Sequence, residues 1–122
     1  MMQSKPLRVL VAEDEAIIGI DLCDTVSEAG YIVEGPFLDL SSAMLAYQKS
    51  KPDIAILDVQ LGDGIVYPLA EQMMAEDVQV IFHSGQLTPD EVAARFPQAQ
   101  ALAKPCPPAE VIHSVERAIQ YN

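Results

Sequence analysis

The stretch Asp53-Ile54-Ala55-Ile56-Leu57-Asp58 constrains the fold more than any other part of the chain. Its four consecutive apolar residues, two of them β-branched, are typical of a strand that is buried on both faces of a sheet. Pro52 ends whatever element precedes it, and the turn-forming residues Val59–Gly64 follow. Because ligands bind at the carboxyl ends of strands in open parallel α/β sheets, we expect Asp58 to be the centre of the chemistry.

Strand and helix patterns alternate five times along the chain. The strand candidates are Leu7–Ala12, Tyr31–Phe37, Asp53–Asp58, Val78–Phe82 and Ala99–Ala103. Four of them are followed by apolar residues at helical spacing, most clearly Val66, Leu69, Ala70, Met73 and Met74. The fourth strand is followed by the helix start Thr88-Pro89-Asp90-Glu91. Short connections and right-handed crossovers then predict an α/β fold, with a doubly wound five-stranded parallel sheet and helices on both faces. Only the second strand ends without a polar group, so we place it at the edge, which gives the flavodoxin-like order 2-1-3-4-5.

Length and charge limit the classes of function. The 122 residues predict a single domain, 1–122, with its core at about 7–120. A net charge of −11 argues against nucleic acid or an anionic membrane as a direct partner. Cys23 and Cys106 are too few for a disulfide framework. Since Met1–Pro6 has no signal-peptide core and no apolar run is long enough to span a membrane, we expect a cytoplasmic protein.

Four of the five predicted strands end in polar residues. They are Glu13 with Asp14, then Asp58, Ser84 and Lys104. Carboxylates packed together repel one another unless a cation lies between them, and ligands that are all oxygen favour Mg²⁺ or Mn²⁺ over zinc. A lysine in the same crevice suits an anion bound beside the metal. A metal, a lysine and a hydroxyl donor together describe a phosphoryl-transfer site, in which a carboxylate nucleophile forms an aspartyl phosphate.

These residues resemble the receiver domain of bacterial two-component response regulators. The resemblance covers about Leu7 to Ile119, and it is carried by Glu13-Asp14, Asp58, Ser84-Gly85 and Lys104-Pro105, in order and each at the end of a strand. It implies that Asp58 accepts a phosphoryl group from a histidine kinase or a histidine phosphotransfer protein. It also implies that a conformational change then signals to a downstream protein, whose identity the sequence does not reveal.

The resemblance assigns roles to the other residues as well. It implies that Asp14, Asp58 and the backbone carbonyl of Gln60 bind Mg²⁺, while Glu13 acts directly or through water. It further implies that Ser84 donates a hydrogen bond to the phosphoryl group. The Lys104 side chain is expected to pair with the same group. The peptide bond between Lys104 and its following proline is expected to be cis.

Three positions depart from the family pattern. Ser84 stands where a threonine is usual, Gly62 stands where a proline is common, and Ala101 stands where an aromatic switch residue is expected. The run Phe82–Gly85, followed by a short helix, resembles a subgroup of receivers that often stand alone, so we expect a single-domain regulator.

Two other functions compete with this interpretation. A degenerate receiver could act as a phosphorylation-independent binding module, which Ala101 favours and the intact acids and lysine disfavour. A phosphohydrolase similar to the haloacid dehalogenases needs a second acid where this chain has Gln60. We therefore expect no enzymatic turnover beyond self-phosphorylation and autodephosphorylation. His83 and His113 receive no role, because lone histidines are more often satisfied or exposed than functional.

Overall fold

The computed structural model describes residues 6–85 and 87–120. The expectation about Met1–Pro6 therefore falls almost wholly outside the described residues. The strands are β1 Arg8–Ala12, β2 Ile32–Phe37, β3 Ile54–Asp58, β4 Gln60–Leu61, β5 Gly64–Ile65, β6 Gln79–Ser84 and β7 Gln100–Ala103. The helices are α1 Ala16–Glu28, α2 Leu40–Lys49, α3 Tyr67–Ala75, α4 Pro89–Arg95 and α5 Pro108–Gln120.

A five-stranded parallel sheet of order β2-β1-β3-β6-β7 forms the centre of the molecule. Counting only the strands of this sheet, the order is 2-1-3-4-5, so the predicted topology is confirmed. β3 lies in the middle, and all five of its residues are buried, including Asp58. Ile54, Ile56 and Leu57 are each at most 1% exposed. Burial of side chains of this kind stabilises a fold by about 1.5–3 kcal/mol each.

Alternating side chains on each strand separate two apolar layers. On β1, Leu10 packs toward α2, α3 and α4, whereas Val9 and Val11 pack toward α1 and α5. The same alternation continues along β6, where Phe82 belongs to the first layer and Ile81 to the second. We refer to these as the α2–α3–α4 face and the α1–α5 face. Helices on both faces were predicted, and the structure confirms them.

The helix ends follow the local sequence. Gly30 follows α1 with a φ of +102°, a conformation that glycine adopts without steric cost. Asp39 caps α2, since its side chain accepts a hydrogen bond of 2.7 Å from the amide of Ser42. Thr88 and Glu91 form a reciprocal capping box at the start of α4. Within residues 6–85 and 87–120, none of the helices has both the length and the apolar character needed to cross a bilayer.

The segment after Asp58 was predicted as a turn, and here the prediction is incomplete. β4 and β5 pair there as a short antiparallel hairpin. Asp63 lies between these two strands and reaches the first turn of α2. Its carboxylate accepts hydrogen bonds of 2.6 Å from the amide of Leu40 and of 2.8 Å from the hydroxyl of Ser41. The hairpin is therefore fastened to α2 rather than free in solvent.

Candidate functional site

The carboxyl ends of the strands bring the predicted site residues together around one open cavity of 530 Å³. Its lining includes Asp14, Asp58, Gln60, Ser84 and Lys104. The register of the sheet explains this, because the end of β3 pairs with the end of β6, which in turn pairs with the end of β7. Glu13 directly follows β1 and lies behind the cavity, with no exposed surface.

Lys104 bridges two buried carboxylates. Its Nζ lies 2.6 Å from Oε1 of Glu13 and 3.0 Å from Oδ2 of Asp58. Glu15 lies farther away, at 3.8 Å, and its side chain is 66% exposed. The other oxygen of Glu13, Oε2, accepts a hydrogen bond of 3.0 Å from the amide of Glu15. One ammonium group thus compensates two acids in a partly desolvated crevice, which leaves the site with excess negative charge.

This imbalance separates the acidities of the two carboxyl groups. Burial raises the pKa of Asp58 to about 7, because the neighbouring charge of Glu13 adds to the desolvation and the contacts with Lys104 only partly offset both. Burial also raises the pKa of Glu13, but the neighbouring His83 ring, the Lys104 ammonium and the Glu15 amide outweigh this effect and bring the pKa down to about 2. Without a metal, Glu13 therefore carries the negative charge, and Asp58 holds a proton over part of the neutral range.

Three carboxylates meet closely enough to hold one cation. Glu13, Asp14 and Asp58 each offer an oxygen, and these oxygens all lie within 4.8 Å of one another. Asp14 is exposed and faces the cavity, while the other two are buried. An all-oxygen donor set with one open side fits a divalent cation such as Mg²⁺, which keeps several water ligands. The residues present therefore fit the predicted kind of site, although they do not identify the metal.

Ser84 and Gln60 border the same carboxylate from two sides. The hydroxyl oxygen of Ser84 accepts a hydrogen bond of 3.1 Å from the amide of Leu87, so its position is tied to the loop before α4. The amide of Gln60 donates to Oδ1 of Asp58 at 3.3 Å. The peptide bond between Lys104 and Pro105 is cis, as predicted. The functional roles of these residues remain predictions.

An aromatic group adjoins the cavity on the side of α4. Tyr67 lines the cavity, and its ring centroid lies 4.9 Å from that of Phe96 and 6.0 Å from that of Phe82. The guanidinium of Arg95 lies 4.6 Å from the centroid of the Tyr67 ring. Phe82 is also the register partner of Ala101 across β6 and β7. Aromatic side chains thus lie near Ala101, although position 101 itself is not aromatic. They come from α3, from β6 and from the residue that follows α4.

His83 is the residue that the sequence argument missed. It is 3% exposed, and its Nδ1 lies 3.7 Å from Oε1 of Glu13. Within the described part of the chain, neither ring nitrogen has a hydrogen-bond partner. The expectation of a satisfied or exposed histidine is therefore wrong for His83. The available signal was its position, since it follows three apolar residues of a buried strand and directly precedes Ser84.

A second cavity, of 580 Å³, lies at the opposite end of the same strands. Its lining includes Val78, Gln79, Pro97, Gln98 and Arg117. None of the predicted site residues borders this cavity. Although it is slightly larger, the cluster of acids beside Lys104 makes the 530 Å³ cavity the better candidate for chemistry.

Comparisons with known proteins show which chains this one is similar to. No family model matches the sequence. The chain is 32% identical to the transcriptional regulatory protein PdtaR of Mycobacterium tuberculosis over 119 residues, which cover 93% of this chain and 57% of that protein. It therefore spans little more than half the length of that relative. It is also 25% identical to the chemotaxis protein CheY of Thermotoga maritima over 114 residues, which cover 90% of this chain and 95% of that protein.

This chain is also similar to solved structures of receiver domains. The non-phosphorylated receiver domain of HemR from Leptospira biflexa superposes with a TM-score of 0.80 and 29% identity, and the match covers 94% of each chain. Three observations indicate the same family: the strand order, the acids and lysine around one cavity, and the similarity to these relatives. The chain belongs to the receiver domains of response regulators.

Proposed function

We propose that this receiver accepts a phosphoryl group on Asp58 from a histidine kinase or a histidine phosphotransfer protein. The observation that carries the proposal is the position of Asp58, buried at the base of an open cavity between an acid cluster and Lys104. An oxygen of the Asp58 carboxylate forms the new P–O bond. The P–N bond to the donor imidazole breaks, and its electron pair returns to the ring.

The chain's own residues supply most of what this transfer needs. Asp14, Asp58, Glu13 and the carbonyl of Gln60 would hold Mg²⁺, which when bound offsets the negative charge of the phosphoryl oxygens. The ammonium of Lys104 is already within reach of Asp58 and binds a phosphoryl oxygen from the other side. The Ser84 hydroxyl donates a hydrogen bond to another of these oxygens.

Charge compensation also controls whether Asp58 can react. Only the ionised carboxylate is nucleophilic, and a pKa of about 7 keeps part of it protonated in the metal-free protein. Positive charge in the acid cluster lowers this pKa and so increases the reactive fraction. The proposed reaction is a single transfer followed by autodephosphorylation, so the protein is not an enzyme acting on other substrates. Its downstream partner is a protein of unknown identity.

One observation favours a second function, that of a phosphorylation-independent binding module. Ala101 occupies the position at which the family carries an aromatic switch, and a methyl side chain has no rotamer to change. A receiver that cannot transmit the change would bind its partner in one state only. The intact cluster of Glu13, Asp14, Asp58 and Lys104 makes this the weaker candidate.

Mass spectrometry after incubation with Mg²⁺ and acetyl phosphate tests the proposal. One added phosphate is expected on the intact protein, and none on the Asp58→Asn variant. Asp24→Asn, an exposed change on α1, serves as the matched control and should retain the adduct. A phosphate retained by Asp58→Asn would contradict the assignment. No adduct on the native chain would favour the binding module, and rapid turnover without an adduct would favour a phosphohydrolase.

A further inference from the structure

His83 is a buried polar side chain that the proposed phosphoryl transfer does not use. It is 3% exposed, and both of its ring nitrogens lack a hydrogen-bond partner among residues 6–85 and 87–120. An unpaired polar group in a protein interior destabilises the fold. A leucine or phenylalanine would fill the same place in the strand without this cost. The histidine therefore calls for an explanation beyond packing.

The position of His83 on β6 places it behind the site. Side chains alternate along the strand, so His83 lies with Ile81 on the α1–α5 face, while Ser84 lies on the other side and borders the 530 Å³ cavity. Asp58 is the register partner of His83 on the neighbouring strand. His83 thus adjoins the site from the face opposite to Ser84, and Glu13 lies close to its ring.

Glu13 is within reach of the imidazole but does not yet bond to it. The distance of 3.7 Å between Nδ1 and Oε1 of Glu13 is too long for a hydrogen bond. A movement of less than about 1 Å would bring it into the normal range of 2.7–3.2 Å. Oε2 of Glu13 is already occupied by the Glu15 amide. For Oε1, the contact with Lys104 at 2.6 Å is the strong one in the present state.

Phosphorylation of Asp58 would change which anionic groups the ammonium of Lys104 contacts. Its ammonium now divides between Glu13 and Asp58, at 2.6 Å and 3.0 Å. A phosphoryl group on Asp58 adds several anionic oxygens on the cavity side, and charge-assisted hydrogen bonds to them draw Lys104 outward. Oε1 of Glu13 would then lose its cationic partner while it remains fully buried. A buried carboxylate in that position needs another donor.

We propose that His83 is a positioning residue that replaces Lys104 as the partner of Oε1 of Glu13 when Lys104 turns to the phosphoryl group. The Nδ1–H of the imidazole donates to Oε1, which keeps the Glu13 carboxylate aligned with the acid cluster. This inference rests on the proposed phosphorylation of Asp58. It requires no change in the net charge of His83, because the neutral ring donates through one nitrogen.

Nitrogen NMR of histidine-labelled protein tests the inference directly. Spectra are recorded with and without Mg²⁺ and beryllium fluoride, a mimic of the phosphoryl group. With the mimic bound, we expect the proton of His83 on Nδ1, in a hydrogen-bonded signal that exchanges slowly with water. If the proton is on Nε2 with the mimic bound while the amide signals of Asp58 and Ser84 shift, the inference is wrong and the proposed function stands. If none of these signals responds, the proposed function fails and the inference fails with it.

Substitutions test the same role without the mimic. In His83→Asn the amide nitrogen lies near the position of Nδ1, whereas His83→Leu keeps the bulk and removes the donor. We expect His83→Leu to slow Mg²⁺-dependent phosphorylation about 10-fold or more, the usual effect of removing a partner of a metal ligand. His83→Asn should restore most of the rate. His113→Leu, which removes the exposed histidine of α5, is the matched control.

The stability of the variants separates positioning from folding. Because His83→Leu removes an unpaired buried imidazole, its metal-free Tm should equal or exceed that of the native chain. Slower phosphorylation in a protein of undiminished stability supports the inference. An unchanged rate of phosphorylation in His83→Leu would overturn it, as would an equal loss in His83→Asn and His83→Leu.

Discussion

Glu13 and Asp58 share one lysine but differ widely in acidity. Glu13 has its pKa lowered to about 2, whereas that of Asp58 is raised to about 7. The difference arises because Glu13 lies beside Lys104 and His83 and accepts a hydrogen bond from the Glu15 amide, while Asp58 is desolvated next to a carboxylate that is already charged. In the metal-free protein Asp58 is thus the less favourable of these two carboxyl groups to ionise, and its ionisation destabilises the fold.

A first prediction concerns the stability of Asp58→Asn as a function of pH. The unfolded chain loses the Asp58 proton near pH 4, but the folded protein holds it to about pH 7. Stability of the native chain should therefore fall as pH rises from about 4 to 7, and remain low above that. We expect Asp58→Asn to abolish this loss, with a metal-free Tm about 3–10 °C above native at pH 8.

Thermal unfolding in the presence of a chelator, between pH 5 and pH 8, measures the difference. Asp24→Asn again controls for the loss of a negative charge at an exposed site. A gain in Tm that is as large at pH 5 as at pH 8 would show that ionisation of Asp58 is not its cause.

At the scale of the elements, hydrophobic patterns were sufficient for the sheet and its helices. The continuous apolar run of β3, the capping box of α4 and Gly30 after α1 each have a local cause that can be read from sequence. The hairpin of β4 and β5 could not be predicted, because two-residue strands are too short to show alternation. Its attachment through Asp63 depends on a contact with α2, more than 20 residues earlier in the chain.

The candidate site likewise contains residues that could be predicted from the sequence and one residue whose state could not. Five site residues could be predicted because each lies at the end of a strand or just after it, and parallel strands end at one edge: Glu13, Asp14, Asp58, Ser84 and Lys104. The state of His83 could not be predicted, since it depends on which donors and acceptors the folded chain places around its ring. Sequence spacing carries no information about the distance to Glu13, which decides the interpretation of this histidine.

A second prediction concerns the attachment of the hairpin. Asp63→Ala removes the carboxylate that accepts from the Leu40 amide and the Ser41 hydroxyl. We expect the first turn of α2 to open more often, so that the amides of Leu40 and Ser41 exchange faster with solvent. Hydrogen exchange measured by NMR reports these amides singly. Asp90→Ala, an exposed acid in the first turn of α4, is the control, and equal acceleration in both variants would contradict a specific attachment.

A third prediction concerns the route by which α4 responds to phosphorylation. Ala101 lacks a rotamer that could couple the site to α5, but the Ser84 hydroxyl oxygen already accepts from the Leu87 amide in the loop before α4. We expect activation to shift the backbone between Ser84 and Phe96 and the ring signals of Tyr67. Amide NMR with Mg²⁺ and beryllium fluoride should show the largest changes there, apart from residue 86, which lies outside the described residues. Changes confined to α5 would contradict this route.

For the molecule as a whole, metal binding and stability are linked. A cation that binds the cluster of Glu13, Asp14 and Asp58 binds only the folded chain, so it must raise the free energy of unfolding. We expect a gain of about 2.7 kcal/mol at a Mg²⁺ concentration 100 times the dissociation constant. Thermal unfolding over a Mg²⁺ series, against KCl at matched ionic strength, measures it. An equal response to the two salts would count against a metal site.

The last two residues of β6 lie on opposite sides of the sheet. Ser84 contacts the loop before α4, and His83 lies among residues of the α1–α5 face. Any event that displaces the end of this strand therefore moves side chains on both faces of the sheet at once. By thermodynamic reciprocity, a protein held at α4 and another held at α1 would then alter each other's affinity to the same extent, without touching. The binding of a phosphoryl donor and the binding of a target protein on different surfaces would in this way be coupled through two adjacent residues.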